Sequence, residues 1–185
     1  GRSSKGGAVY LDNLGNEGSV TATYQAAAGI MGNANNGSIA YINNCYSTGA
    51  ISSGSGKKSA QICGWLGNVG AKVTNCWSIA PITGNDNADN LFCRRGGATF
   101  INNYSNNGTN EKTGAYTMPQ DAFENGEVCF KLNEPQDYIM WFQNIGSDLH
   151  PVFDRSHSIV YKNDGCDYFN DPEDGIAELK ADNQT

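Results

Sequence analysis

Two carboxylates three residues apart, Asp86 and Asp89 in "GNDNADN", are followed closely by two guanidinium groups, Arg94 and Arg95. Gathered in one groove, such a set could act as carboxylates and bases around a uronate sugar, the chemistry of polysaccharide lyases and glycoside hydrolases. Paired-carboxylate catalysis needs a fixed separation on a rigid face. An Asn-rich loop supplies none, and surface solvation or corner hydrogen bonding accounts for these residues more simply. His150 and His157 are the only histidines, His150 precedes a proline, and neither belongs to HExxH or another metal-ligand spacing. Serines are abundant, but no GxSxG elbow accompanies them. The same Asn-rich loop and "NDGCDYFNDPEDG" hold oxygen ligands for calcium without the DxDxDG register and its Glu at position twelve. No catalytic residue, metal ligand or cofactor site is therefore assigned. Sequons at Asn36, Asn103 and Asn107 are expected by chance in a chain so rich in Asn, Ser and Thr.

A different chemistry belongs to three aromatic residues. "INNCYSTGAI" (Ile42 to Ile51) and "VTNCWSIAPI" (Val73 to Ile82) repeat one pattern, with Tyr46 and Trp77 following a cysteine, and Tyr104 takes the same place in "INNYSNNG". If Cys45 and Cys76 point inward, strand alternation turns the rings outward. A column of flat ring faces can stack against sugar rings at low entropic cost. The competing expectation is that the rings stack on one another, or lie under a C-terminal cap, and bind nothing.

The elements that must position these rings are repeats. Asn44, Cys45, Ser47 and Ile51 recur as Asn75, Cys76, Ser78 and Ile82, each 31 residues on, and Val20 lies 31 before Ile51. "GIMG" at Gly29 matches "GWLG" at Gly64 with an offset of 35, and "LFCRRGG" with "INNYSNNG" forms a degraded third copy. Units this short cannot bury their own apolar face, so the copies must stack. Residues 1–110 carry no apolar pattern at i, i+3, i+4 and i+7, which excludes helical repeats. The expected fold is mainly β, a short right-handed β-solenoid (β-helix) of about three coils with a small α+β C-terminal cap. Asn44 and Asn75 read as corner residues, since Asn tolerates positive φ. Gly29, Gly32, Gly64 and Gly67 should hold positive φ or stand where a Cβ would strike the next coil. In-register cysteines (Cys45 over Cys76, Cys63 over Cys93) have Cβ atoms about 4.8 Å apart, outside the disulfide window, and are expected as buried thiols. Cys129 and Cys166 are left open.

The pattern G-[aliphatic or aromatic]-[aliphatic]-G, a variable loop, then N-C-[aromatic]-S resembles the GLUG-motif repeats of exported surface proteins of gut bacteria, particularly Bacteroidetes. The resemblance covers residues 17–108 and departs in the third copy, where Arg94 and Arg95 replace the first glycine and its neighbour. It implies a bacterial cell-surface or secreted location and transfers no catalytic residues.

After residue 110 the pattern changes. Thr117 with Gln120 forms a capping-box spacing, Pro119 suits a first helical turn, and a helix is expected over Pro119 to Leu132 with a break at Gly126. "YIMWFQNIG", "HPVF" and "SIVY" read as short strands. Residues 111–165 are thus a helix plus small-sheet cap, similar to the closing region that follows such repeats, and 166–185 are an acidic tail or linker. A cap is needed because an open repeat end exposes a strand edge.

Composition narrows the function. The 185 residues carry 12 Lys and Arg against 19 Asp and Glu, a net charge of −7, so nucleic acid and anionic lipid are disfavoured partners. No apolar run reaches membrane-spanning length. Gly1 in place of Met suggests a processed or engineered start. The expected function is a non-enzymatic cell-surface or secreted binding or adhesion module, part of a longer bacterial surface protein, with an extracellular glycan or a host-surface protein as partner. The alternatives are a carbohydrate-active β-helix enzyme domain, a polysaccharide lyase or glycoside hydrolase, and a passive spacer.

Overall fold

The computed structural model describes residues 2–3, 6–23, 26–34, 37–54, 59–66, 70–83, 92–95, 98–107 and 114–170. Two compact units make up the chain, Gly1–Thr117 and Met118–Thr185.

The first unit is mainly β with parallel sheets. Its first repeat carries β1 (Arg2–Ser3), β2 (Ala8–Asp12), β3 (Gly15–Asn16), β4 (Val20–Ala22) and β5 (Ala27–Ala28). The second carries β6 (Asn33–Ala34), β7 (Ile39–Asn43), β8 (Tyr46–Ser47), β9 (Ile51–Ser53) and β10 (Ser59–Ala60). The third carries β11 (Cys63–Leu66), β12 (Lys72–Thr74), β13 (Trp77–Ser78) and β14 (Ile82–Thr83). β15 (Cys93–Arg95), β16 (Thr99–Ile101) and β17 (Asn103–Ser105) belong to a fourth, and β18 (Ala115–Thr117) follows. Each strand pairs with its equivalent in the next repeat, giving the orders β1-β6-β11-β15, β16-β12-β7-β2, β18-β17-β13-β8-β3, β14-β9-β4 and β10-β5. Because β18 joins β17 in parallel, residues 115–117 belong with the repeats and not with the C-terminal segment that the sequence begins at 111.

The 31-residue offset is the structural register. Ala8 to Asp12 lie beside Ile39 to Asn43, and Tyr41, Ile42 and Asn43 beside Lys72, Val73 and Thr74. At each end of this sheet's repeat the chain turns through an asparagine in the left-handed region: Asn13, Asn44, Asn75 and Asn102 have φ of 57, 47, 51 and 54°. Asn pays little for this conformation, and the Asn102 Nδ2 donates to Asn75 Oδ1 at 2.8 Å, linking two corners directly.

The glycine blocks register differently from the sequence expectation. The sequence sets Gly64 over Gly29, whereas a Cβ on Gly64 would stand 2.5 Å from the Gly32 carbonyl oxygen and 2.9 Å from Ala26 Cα. Met31 lies opposite Cys63 and Ala34 opposite Leu66, so the shared letters G-x-x-G slip by three residues against the true ladder. A Cβ on Gly29 would overlap the Ser47 side chain and lie 2.7 Å from the Gln61 carbonyl oxygen. Both glycines are thus set by close approach, with no positive φ. Gly67, like Asp86 and Asp89, lies outside the described residues.

Alternation places Ile42, Val73 and Phe100 in one inner row, with Leu11 packed against it, and Cys45, Cys76, Cys63 and Cys93 in the same apolar cluster. Burying side chains of this size contributes about 2 kcal/mol each. Three polar side chains inside the repeats are bonded there: Ser78 Oγ donates to the Ser47 carbonyl at 2.6 Å, Gln61 Nε2 to the Ala80 carbonyl at 3.0 Å, and Ser105 Oγ to Gln61 Oε1.

The second unit begins with α1 (Gln120–Glu124) and α2 (Glu127–Asn133), broken as expected at Gly126, whose φ is 91°. A Cβ there would meet Ile145 Cδ1 at 2.7 Å and Val160 Cγ1 at 2.9 Å. The capping box does not form. Thr117 is held in β18, Pro119 stands at the N-cap, and Gln120 Nε2 donates instead to Glu124 Oε1 at 3.1 Å.

The expected small sheet is reduced to one antiparallel bridge, Phe142 with Val152, and a hairpin of β19 (Tyr161–Lys162) and β20 (Tyr168–Phe169). The hairpin takes residues 168–169 out of the stretch read as tail. Side chains occupy the backbone groups a sheet would have used. Asn133 Oδ1 accepts from the Met140 and Trp141 amides at 3.0 Å, and its Nδ2 donates to the Trp141 carbonyl at 2.8 Å. Gln143 Nε2 donates to the Phe123 carbonyl at 2.7 Å, and Asn170 Nδ2 to the Gln143 carbonyl at 2.7 Å.

Candidate functional site

The structure brings Tyr46, Trp77 and Tyr104 into register on β8, β13 and β17. Tyr46 and Trp77 stack with centroids 5.0 Å apart and planes at 8°. The column starts over Gly15, where the Tyr46 ring fills the space a Cβ would need, and continues past Tyr104 to Tyr116 at 5.8 Å. None of the three belongs to the apolar cluster that holds Cys45 and Cys76. The expected open outer face is absent: exposure is 9% at Tyr46, 0% at Trp77 and 6% at Tyr104. Strand spacing matches ring-stacking distance, and Tyr46 and Trp77 each cover one face of the other. Tyr46 Oη donates to Glu17 Oε1 at 2.7 Å, and burial with this carboxylate pushes the phenol up to about 12. Tyr104 Oη donates to Asn102 Oδ1 at 2.6 Å.

A second ring pair, which the sequence argument passed over, is open. Tyr10 on β2 and Tyr41 on β7 stack at 4.9 Å with planes at 13°, and Tyr10 is 68% exposed. The signal was present, since Tyr41 follows Tyr10 by the repeat length within the alternating strands "AVYLD" and "IAYIN". Continuing the row, Lys72 lies beside Tyr41 and Thr99 beside Lys72. The neighbouring outer row runs Asp12, Asn43, Thr74, Ile101. Parallel pairing thus makes a flat face with aromatic rings at one end, polar groups in the middle and a cation on β12.

The other sequence candidates are dispersed. Arg94 and Arg95 lie on β15. His150 Nδ1 is 3.1 Å from the Pro151 carbonyl oxygen, while His157 Nδ1 meets Asp148 Oδ2 at 2.6 Å in the second unit. That same carboxylate oxygen accepts from the Asn144 amide at 2.6 Å, which makes the pair a brace for the loop. Among the described residues no cluster of three or more His, Cys, Asp or Glu could hold a metal ion.

Cys63 pairs in register with Cys93, and the Cys45 amide approaches Cys76 Sγ at 3.3 Å. All six cysteines are free thiols, including Cys129, which is buried, and Cys166, which is exposed. Burial pushes Cys76 and Cys93 well above the ordinary cysteine value, with the neighbouring thiols Cys45 and Cys63 adding to it, and burial likewise raises Cys129. Such thiols stay protonated and behave as small hydrophobes.

No helix among the described residues is long and apolar enough to cross a membrane. The chain matches no protein-family model, no curated protein and no solved structure.

Proposed function

We propose that residues 1–117 form a short right-handed β-solenoid of GLUG-type repeats that serves as a non-enzymatic, glycan-binding module of a bacterial surface or secreted protein. The repeat register supports the architecture: five ladders of parallel strands join equivalent elements of successive repeats, with an asparagine corner at the same point of each repeat. Binding rests on one observation, the stacked pair Tyr10–Tyr41 on the outer sheet face, with Tyr10 68% exposed and Tyr41 half-buried. The rings cover each other on one side and leave their outer edges, and the free side of Tyr10 on the edge strand β2, as contact area with few torsions to freeze, which suits the apolar face of a pyranose. The buried column of Tyr46, Trp77 and Tyr104 then acts as packing that holds the repeats in register.

A glycan array probed with the wild-type chain and with the double variant Tyr10→Ala/Tyr41→Ala tests this. The wild type is expected to bind a defined glycan subset, and the double variant to lose about tenfold or more in affinity while keeping the wild-type far-UV circular dichroism spectrum and a cooperative unfolding transition. Binding that survives the double substitution, or cleavage of acidic polysaccharide in parallel turnover assays, overturns the proposal.

A further inference from the structure

Resting on that reading, we infer that the β2–β7–β12–β16 face selects a glycan carrying isolated negative charges. Neutral pyranose units lie on Tyr10 and Tyr41, and an anionic unit meets Lys72.

Register places the three groups in one line across the strands: Tyr10, then Tyr41, then Lys72. Neighbouring strands are about 4.8 Å apart, so the Lys72 backbone lies about 10 Å from that of Tyr10. A glycan crossing the sheet over the exposed parts of Tyr10 and Tyr41 therefore runs directly to the lysine. Lys72 is exposed on the same outer face and, among the described residues, makes no ion pair and no ring contact. An exposed ammonium that meets a carboxylate or sulfate there breaks no existing ion pair, and the small net gain is that of a surface pair.

The carboxylate on this face lies at the opposite end. Asp12 is exposed on β2, two strands away from Lys72, with Asn43 and Thr74 between them in the adjacent row. The field along the face thus runs from negative beside Tyr10 to positive at β12, which fixes the direction in which a part-charged glycan lies. The chain's net charge of −7 acts against a ligand charged at every unit. Screening over about 8 Å at physiological salt lets the local cation dominate for one with spaced charges.

Calorimetric titrations in low salt with four hexasaccharides test the inference: neutral chitohexaose, the hyaluronan hexamer that alternates neutral and glucuronate units, a kappa-carrageenan hexamer that alternates neutral and sulfated units, and fully charged hexagalacturonate. One of the two alternating hexamers is expected to bind about threefold to fivefold more tightly than chitohexaose, the range a single exposed ion pair gives. Which of them leads tells a carboxylate from a sulfate. Hexagalacturonate is expected to bind more weakly than either. Lys72→Gln should abolish the preference and leave chitohexaose affinity unchanged, whereas Tyr10→Ala/Tyr41→Ala should weaken every probe. Equal wild-type affinity for neutral and alternating probes, or a preference that survives Lys72→Gln, overturns the charge selection alone. Absence of binding to every probe, or binding indifferent to the two tyrosines, overturns the glycan reading as well.

Discussion

Replacing Trp77 by alanine removes the largest fully buried side chain of the repeats, at the middle of the aromatic column. A buried Trp→Ala change costs about 3–5 kcal/mol through lost burial and the cavity it leaves. Within that sum, the stack on Tyr46 at 5.0 Å and 8° accounts for about 0.5–1.5 kcal/mol. Taking about 4 kcal/mol and the slope for a chain of this size, the melting temperature is expected to fall by about 8–16 °C. Thermal unfolding followed by circular dichroism measures it. Trp77→Phe, which keeps a ring in place, should recover more than half of the loss. A double-mutant cycle of Tyr46→Ala with Trp77→Ala should show coupling of about 1 kcal/mol. A fall of less than about 2 °C in Trp77→Ala would refute the view that the column is packing and would return Trp77 to the surface.

Asn75→Ala should destabilise by about 1–2 kcal/mol in urea titrations, since it puts a Cβ residue without a polar side chain at φ 51° and removes the acceptor of the Asn102 amide. Asn75→Gly should cost less, and equal losses would show that backbone conformation is not the cause. Alkylation followed by intact-mass measurement should label Cys166 quickly and Cys45, Cys63, Cys76, Cys93 and Cys129 only in denaturant. A disulfide-linked peptide joining Cys45 to Cys76, or Cys63 to Cys93, would contradict the parallel cysteine register.

The inner architecture was legible because it is periodic. Cys45 over Cys76, Cys63 over Cys93 and Trp77 beside Tyr104 follow from spacing and alternation alone. Two things escaped that logic. Period and alternation say which side of a strand a ring occupies but not what covers it, so the expected open faces of Tyr46 and Trp77 are buried instead, one face of each by their mutual stack. Short letter matches also compete with register: "GIMG" and "GWLG" look alike, yet Gly64 answers to Gly32. In the second unit no period exists to follow. The strand-like "YIMW" stretch is held by a single asparagine eight residues before Trp141, and no alternation pattern encodes such a bond.

The ladder pairing of successive repeats has a mechanical consequence. Neighbouring repeats meet through separate short parallel ladders, and each repeat in the middle is bonded only to the one before and the one after. A pull along the chain therefore loads the outermost repeat first and leaves the others bonded until it has peeled away. Each event frees about 27–31 residues of chain, which extended span roughly 90–100 Å. Tension would then be answered by discrete lengthening steps of that size, and a tether built this way yields in instalments before it parts.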